Sequence, residues 1–472
     1  MKKTIIAVSI LNLLMAKSVF AMSVMSDDEL ESTSGQALFN LSYLSPSDTG
    51  NHESANNIGF YRLGVEAEIA ANLNIKKLQL GCGGVNGAGA CDIDIDNLSL
   101  SGNSNTSEGR VASSAVLTNP FFEFAIKNPN TASTREVVGF RVSAEKALGL
   151  LTTGTENSTT PNGINTISGF MRVQSDSSGN IFGKANTGAQ YFNAATYPVT
   201  GRLVALGGIG GQATFVTSGG GFNVPAMTGI PFTRSGKVVN QSRVSSLPLT
   251  ATLNVPTINL GDSGSGFPAA GQVIGVPPSY VETLGGRLQA TVLTTSGLAS
   301  LLYSTGDVLP NVYMSGSIQN AKANVTINQS LGYIHSLPIN SPFYLSVQQQ
   351  DMRWPGTYSG PDPENPASTV TDIAKRGWWM SFADPINLGS VDPTQSIDIT
   401  PLFPQIASAV STWLNANPAT SSDLGGLLGI GALDTDVGTV DLGAFPLSLT
   451  LTDLQLNGQS FAPNCYGGLK FC

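Results

Sequence analysis

Residues 73–80 read LNIKKLQL and residues 93–100 read IDIDNLSL, and these two stretches decide the predicted fold. In each, apolar side chains alternate with polar ones, as in a half-buried strand. At a polar pair in the middle the alternation shifts by one residue and then continues. The same pattern, followed closely by Gly, recurs at 253–260 and 449–456. The sequence therefore predicts four strands of one kind.

The shift of alternation predicts an irregularity in each strand. One extra residue, a β-bulge, would keep the apolar side chains of both halves on one face. Pro256 fits this interpretation, because strand prolines occur at bulges and edges. The alternative is that each strand ends at the polar pair and a new strand begins. We predict that at least two of the four segments adjoin in one sheet. The predicted buried positions beyond the shift are Leu78, Leu98, Ile258 and Leu454.

The composition is typical of an exported protein rich in β-structure. Charged residues make up 12% of the chain, about half the usual share. Further predicted strands cover 121–125, 137–142, 286–294 and 344–348. Helical spacing of apolar residues predicts a helix at 404–415, and two more turns are predicted at 144–151. The predicted fold is mainly β, with twisted antiparallel sheets in a sandwich-like or elongated arrangement, β-bulges and one or two short helices.

The first 21 residues predict a signal peptide. Lys2 and Lys3 precede a short apolar run at 5–16, and Val19-Phe20-Ala21 is a small-residue cleavage pattern. That run is too short to span a bilayer, and no later run of about 20 apolar residues follows. The predicted organisation is a signal peptide at 1–21, a β-rich body at 22–390, and a C-terminal helix with a strand pair, packed on the body, at 391–472.

The charge balance restricts the class of partner. The formal charge is −9, and the first 21 residues hold three Lys and no acid, which leaves −12 for the remainder. An acidic chain argues against binding to nucleic acid or to anionic lipid headgroups. Nucleic acid and anionic membrane lipid are therefore not expected as partners.

The chain has four cysteines, Cys82, Cys91, Cys465 and Cys472. An even number in an exported chain predicts disulfides, and three connectivities are possible. The local pairs Cys82–Cys91 and Cys465–Cys472 are favoured, because each closes a short loop that contains Gly. Each bridge is expected to add about 2–3 kcal/mol.

Asp92, Asp94 and Asp96 alternate along the second strand and are the weak candidates for a metal site. Oxygen ligands of this kind suit Ca²⁺, although the spacing is not that of an EF-hand. If the strand is bulged, the carboxylates face solvent while Ile93 and Ile95 face the core, and no cation is needed. Without a bulge, the carboxylates would share a face with buried leucines and would need a cation to compensate their charge. The solvated face is the favoured interpretation, and no cofactor is expected.

No catalytic constellation emerges from the sequence. Residues 261–264 read GDSG, the letters of a serine protease nucleophile loop, but the chain has only two His and neither lies in a matching motif. Trp378 and Trp379 lie beside Lys375 and Arg376, which is consistent with an exposed recognition patch or with part of a core. The core interpretation is favoured, and the chain is predicted not to be an enzyme.

Three N-terminal segments carry a resemblance to a known family: DDELESTSGQALFNLSYLSP at 27–46, NIGFYRLGVEAEI at 57–69 and KKLQLGCGGVNG at 76–87. They resemble a family of uncharacterised gammaproteobacterial exported proteins that are labelled as pilus- or filament-associated surface proteins. The resemblance covers about residues 1–110. It implies a cell-envelope location and association with pilus-assembly proteins, and it implies no catalytic residues.

The leading hypothesis is a non-enzymatic exported protein of the periplasm, outer-membrane surface or extracellular space, filament-associated or adhesive. One alternative is an outer-membrane β-barrel, which an aromatic content of 7% disfavours. The other is an exported hydrolase, which the missing constellation disfavours.

Overall fold

The computed structural model describes residues 39–104, 106–155, 160–173, 183–209, 211–224, 226–234, 236–255, 257–261, 286–386, 392–430 and 432–455. The strands are β1 Phe39–Leu44, β2 Ile58–Val65, β3 Glu68–Ala71, β4 Leu73–Leu80, β5 Ile93–Ser101, β6 Ala115–Lys127, β7 Glu136–Thr152, β8 Ile164–Val173, β9 Gly183–Ala185, β10 Gln190–Asn193, β11 Thr200–Ala205, β12 Gln212–Val224, β13 Ile230–Arg234, β14 Lys237–Val244, β15 Ser246–Asn254, β16 Ile258–Gly261, β17 Gly286–Ser296, β18 Val308–Gln319, β19 Lys322–Ser330, β20 Ser336–Ile339, β21 Phe343–Gln348, β22 Ser359–Pro361, β23 Thr369–Thr371, β24 Gly377–Phe382, β25 Ala419–Ser421, β26 Leu433–Asp441 and β27 Leu447–Thr452. The α-helices are α1 Ser107–Val111, α2 Ala299–Leu302, α3 Phe403–Ala416 and α4 Leu424–Leu427.

The strands form three large sheets and one small hairpin, and most pairings are antiparallel. The first sheet has twelve strands, with the order β1-β2-β6-β7-β21-β24-β8-β5-β4 and with β3, β14 and β20 paired alongside. The second has eight, in the order β10-β12-β11-β25-β26-β18-β16, with β17 between β12 and β18. The third has five, in the order β27-β19-β15-β13-β9, and β22 pairs with β23. The predicted mainly β class with mostly antiparallel sheets is confirmed.

Several segments of the described chain pass between the second and the third sheet, and three of them lie side by side in both sheets. These three are β15 with β16, β18 with β19, and β26 with β27. Hydrogen bonds join them where they change sheet: the amide of Val255 donates to the carbonyl of Ala321 (2.9 Å), and that of Leu442 to Gln319 (3.0 Å). One hydrophobic core lies beneath both sheets, and α3 contributes Phe403, Ile406 and other buried residues to it.

The third predicted segment, 253–260, contains one of the corners, as we call the places where the chain passes between the second and third sheets. Leu253 belongs to β15 in the third sheet, Ile258 belongs to β16 in the second, and both are buried. The alternative of a strand that ends and restarts is therefore correct here, because the chain changes sheet while its apolar side chains stay on the inside. Pro256 lies outside the described residues. The fourth segment is a strand only as far as Thr452, and Leu454 beyond it is half-buried outside any strand.

The first two segments form the predicted hairpin of β4 and β5. Their register continues unchanged through the shift, with Ile75 opposite Leu98 and Lys77 opposite Asp96, so the predicted bulge between them is wrong. The shift arises instead at Asn97, whose φ of 48° is left-handed. On the side away from β4, the part of β5 before Asn97 pairs with β8, and the part after Asn97 pairs with β7.

The burial predicted for this hairpin is confirmed for β5. Its apolar side chains on both sides of the shift are buried, namely Ile93, Ile95, Leu98 and Leu100. Leu78, on the edge strand β4, is only half-buried. The bend at Asn97 therefore keeps one face of β5 on the core although the strand changes its partner.

The remaining predicted elements are mostly confirmed. Strands include all of 121–125, 137–142, 286–294 and 344–348, and α3 includes 404–415. The two helical turns predicted at 144–151 are wrong, because this stretch is part of β7. Ladder hydrogen bonds to β6 on one side and β20 on the other outweigh the helix propensity of its Ala and Leu residues. The described residues contain four α-helices, of which only α3 exceeds five residues.

Candidate functional site

The first sheet has two chemically opposite faces, and the register of its strands assigns residues to each. On the outer face, Leu41 of β1 lies opposite Leu63 of β2, Leu63 opposite Phe122 of β6, and Phe122 opposite Val142 of β7. The adjacent row on the same face consists of Tyr43, Tyr61, Phe124 and Phe140. We call these eight side chains the outer patch.

The outer patch is exposed although it is apolar. Leu41 is 77% exposed and Phe122 is 45% exposed. The rings of Tyr43 and Tyr61 stack with centroids 4.2 Å apart. Partial burial of the Tyr43 hydroxyl and its hydrogen bond with Tyr61 raise the pKa of Tyr43. A contiguous apolar surface of this kind is typical of sites that contact another macromolecule.

Among the described strands, β1 is an edge strand. It pairs with β2 on one side, and no described strand pairs with its other side. Residues 39–43 are exposed on both faces of the strand. An open edge presents unpaired backbone N–H and C=O groups, which can bind an additional strand.

The inner face of the same strands carries charged groups. Arg62 of β2 lies opposite Glu123 of β6, and Glu123 lies opposite Arg141 of β7. Residues 349–376, which we call the covering segment, pack over this face and bury Trp354 in a second core that contains Phe60 and Trp379. Beside that core the sheet and the covering segment enclose a cleft of about 300 Å³.

The floor of the cleft holds a buried ion pair. Nη2 of Arg141 donates to Oε2 of Glu123 at 2.5 Å and to the carbonyl of Pro355 at 3.0 Å. Both side chains are nearly inaccessible, with 6% and 5% exposed. Burial raises the pKa of Glu123, and the charge and hydrogen bond of Arg141 partly oppose that shift. Arg141 therefore holds in place a carboxylate that would otherwise be unfavourable to bury.

A second buried carboxyl, Asp372, comes from the covering segment. It accepts hydrogen bonds from the hydroxyls of Tyr344 (2.8 Å) and Ser381 (2.6 Å) and from the indole N–H of Trp379 (3.2 Å). Burial raises the pKa of Asp372 despite these three donors. Burial next to Asp372 likewise raises the pKa of Tyr344 well above its usual value.

The rim of the cleft carries an accessible ion pair. Arg62 contacts Glu145 at 2.7 Å, and their side chains are 30% and 48% exposed. A hydrogen bond from Asn119 and the charge of Arg62 lower the pKa of Glu145. The guanidinium of Arg62 also lies 3.7 Å from the centre of the Phe121 ring. The rim therefore combines charge with an aromatic surface.

The three weak candidates for metal ligands are not brought together as one site, and the solvent-facing position favoured for them is wrong for Asp92, because its carboxylate is buried against Trp378 and Asn86. Asp92 is buried and accepts hydrogen bonds from the backbone N–H of Trp378 (3.0 Å) and the side-chain amide of Asn86 (2.8 Å). Asp94 and Asp96 instead face Lys77, at 2.6 and 3.0 Å. Among the described residues, no group of three or more His, Cys, Asp or Glu is placed to hold a metal ion.

The amide of Asn165 also donates to both Asp94 (3.0 Å) and Asp96 (2.7 Å). The strand pairing of β5 with β8 is irregular at this point. Burial by itself would raise the pKa of Asp94. Hydrogen bonds from Lys77, Gln79 and Asn165, together with the charge of Lys77, outweigh burial and lower this pKa. The repulsion between these two carboxylates is thus compensated by protein groups.

Two further sequence predictions can be placed. A disulfide joins Cys82 to Cys91 at the tip of the β4–β5 hairpin, as predicted. Trp379 is fully buried and Trp378 is half-buried, which supports the core interpretation of this pair. Cys465, Cys472, the signal peptide and residues 262–264 of the GDSG sequence lie outside the described residues.

Sequence reasoning missed Glu123, Arg141 and Asp372. The strands that carry the first two gave the opposite signal, as in FFEFA at 121–125 and GFRVS at 139–143. In both, the charge alternates with large apolar residues, and this alternation predicts that the charge faces solvent, whereas both charges are buried. Asp372 carried no alternation signal, because it reaches the sheet through a loop.

No family model, curated protein or solved structure matches this chain. Within the described ranges, every helix is too short or too polar to cross a membrane.

Proposed function

We propose that this is a non-enzymatic, exported cell-envelope protein that associates with a pilus or other surface filament. In this proposal it docks through the open edge of β1 and the adjoining outer patch. The occupant is an extended segment of a filament subunit, which adds to β1 as a further strand and lays apolar side chains on the patch.

The observation that carries the proposal is the combination of an open edge and an exposed apolar face on the same strand. Backbone hydrogen bonds at an edge give affinity for any extended chain, and side-chain contacts beside it give specificity. Natural sheets usually protect such edges with charged residues or proline. Residues 39–44 read FNLSYL, with neither.

The N-terminal sequence adds independent support for location. The basic start, short apolar run and cleavage pattern at 1–21 favour export. N-terminal sequencing of protein from the envelope fraction should therefore begin at Met22. Recovery of envelope protein that still carries Lys2 would contradict the export part of the proposal.

The docking part is tested with filaments isolated from the producing cells. Leu41→Asp places a charge on the edge strand, so filament binding in a co-sedimentation assay should fall at least tenfold. Leu301→Asp is the matched control, because Leu301 on α2 is 80% exposed compared with 77% for Leu41. Equal binding by the wild type and both variants, or equal loss in both variants, would reject β1 as the docking site.

A further inference from the structure

We propose that the inner cleft is a binding site for a neutral saccharide of one or two pyranose rings. The cleft faces away from the outer patch, so a ligand there would not compete with a docked strand. Its volume of about 300 Å³ is at the lower end of the range for small-molecule sites.

The charges of the cleft favour a ligand without net charge. Each arginine is already in an ion pair with a glutamate, Arg141 with Glu123 and Arg62 with Glu145. The third carboxyl, Asp372, is held by three donors. An anion would have to displace a glutamate from its arginine, and a cation would have to compete with that arginine. A neutral ligand leaves both pairs intact.

The hydrogen-bonding groups suit hydroxyl ligands. Charged donors and acceptors form stronger hydrogen bonds to a hydroxyl than neutral ones do. On the accessible rim, Arg62 provides a charged donor and Glu145 provides a charged acceptor. At the floor, Arg141 and Glu123 are buried and paired with each other, so the accessible charged groups are those of the rim.

The walls include three aromatic rings. Phe121, Tyr344 and Tyr358 line the cleft together with the carboxylates; Phe121 and Tyr344 are each only 6% exposed, and Tyr358 is half-buried. The guanidinium of Arg141 lies 5.4 Å from the ring centre of Phe121 and 5.3 Å from that of Tyr344. Pyranose rings present an apolar C–H face and a rim of hydroxyls, and such ligands pair naturally with aromatic rings beside charged hydrogen-bonding groups.

The test titrates the full mature chain with glucose, galactose, N-acetylglucosamine and their disaccharides. Binding is followed by saturation-transfer NMR and by intrinsic fluorescence, since Trp354 and Trp379 lie in the core beside the cleft. At least one neutral sugar should bind, and binding should change little between 50 mM and 500 mM salt. Galacturonate, glucosamine and inorganic phosphate serve as charged probes. Binding of the charged probes alone, or of none of the sugars, would overturn the proposal.

The site is located with a substitution that fills it. Ala383 lines the cleft, so Ala383→Trp should weaken sugar binding at least tenfold. Ala67→Trp is the control, because Ala67 has the same intermediate exposure but does not line the cleft. Glu145→Gln at the exposed rim gives a second variant with little risk to folding, and it should weaken binding several-fold. Undiminished binding by a folded Ala383→Trp, or by Glu145→Gln if Ala383→Trp does not fold, would refute the cleft as the site.

Discussion

The two faces of strands β2, β6 and β7 are built from alternate residues of the same stretches, yet they differ in burial and in charge. Glu123 is buried between Phe122 and Phe124, which are both partly exposed. The inner face buries charge beneath the covering segment, whereas the outer face leaves aromatic rings in contact with solvent. Stability alone would favour the reverse arrangement. The arrangement is consistent with the two proposed binding roles, an apolar partner on the outer face and a polar ligand on the inner face.

The strongest test of this comparison removes one phenylalanine from each face. Phe60, on the inner face, is 1% exposed and packs against Trp354. Phe60→Ala should lower the free energy of unfolding by about 3–5 kcal/mol. Phe124→Ala, on the outer face, should lower it by about 1 kcal/mol or less, because only cross-strand contacts are lost. Chemical denaturation measures both values, and equal losses would mean that the outer patch is part of the folding core.

The next test removes one arginine from each ion pair. Arg141→Met leaves Glu123 buried without its partner and should lower the free energy of unfolding by about 3–5 kcal/mol. Arg62→Met should lower it by about 1 kcal/mol or less, because that pair is accessible to solvent. Replacing Glu123 with Gln alongside Arg141→Met should restore part of the loss. If the double variant is no more stable than Arg141→Met alone, the buried charge is not the cause.

A pH series distinguishes the buried carboxyl of Asp372 from the ion-paired carboxylate of Asp94 by the sign of its effect on stability. Because the pKa of Asp372 is raised, the folded state retains a proton that the unfolded chain has lost. Wild-type stability from this group therefore falls as pH rises above about 4, the ordinary carboxyl pKa. The loss of unfolding free energy caused by Asp372→Asn should therefore become smaller as pH rises from about 4 to the raised pKa of Asp372.

Asp94 is the matched control for this series. Its pKa is lowered, so its contribution is present above about pH 4 and is lost as pH falls through the lowered pKa. The loss of unfolding free energy caused by Asp94→Asn should therefore grow as pH rises, opposite to that of Asp372→Asn. Parallel pH profiles for the two variants would show that burial does not govern these carboxyls.

The smallest expected effect concerns Ca²⁺. Since Lys77 and Asn165 already compensate Asp94 and Asp96, millimolar Ca²⁺ should leave Tm unchanged. An ion present at 100 times its Kd would instead add about 2.7 kcal/mol. A rise in Tm that Asp94→Ala abolishes would identify a metal site on the hairpin.

The local parts of this fold were predictable from the sequence. The β4–β5 hairpin and its disulfide follow from period-two alternation on either side of a Gly-rich loop. Helix α3 follows from helical spacing. The non-local parts were not predictable in this way. The shift of alternation at 253–260 records a change of sheet, and 144–151 is a strand because of its neighbours rather than its own preference.

The candidate site was not predictable from local alternation. Glu123 and Arg141 lie opposite each other on adjacent antiparallel strands, but the large apolar residues beside them face outward, so alternation predicts the wrong face for both charges. Asp372 reaches them only because the covering segment folds back over the sheet. Local alternation carries no information about such a return.

The three adjacent chain segments that pass between the second and third sheets have a mechanical consequence. Tension applied between the two sheets is carried by covalent backbone at three adjacent corners, near Val255, Ala321 and Leu442, rather than by the apolar contact between layers. Because the three segments are continuous between the sheets, separating the sheets requires the hydrogen bonds between neighbouring strands to break together rather than one pair after another. Under a stretching force this half of the molecule should behave as a stiff link that yields in a single step.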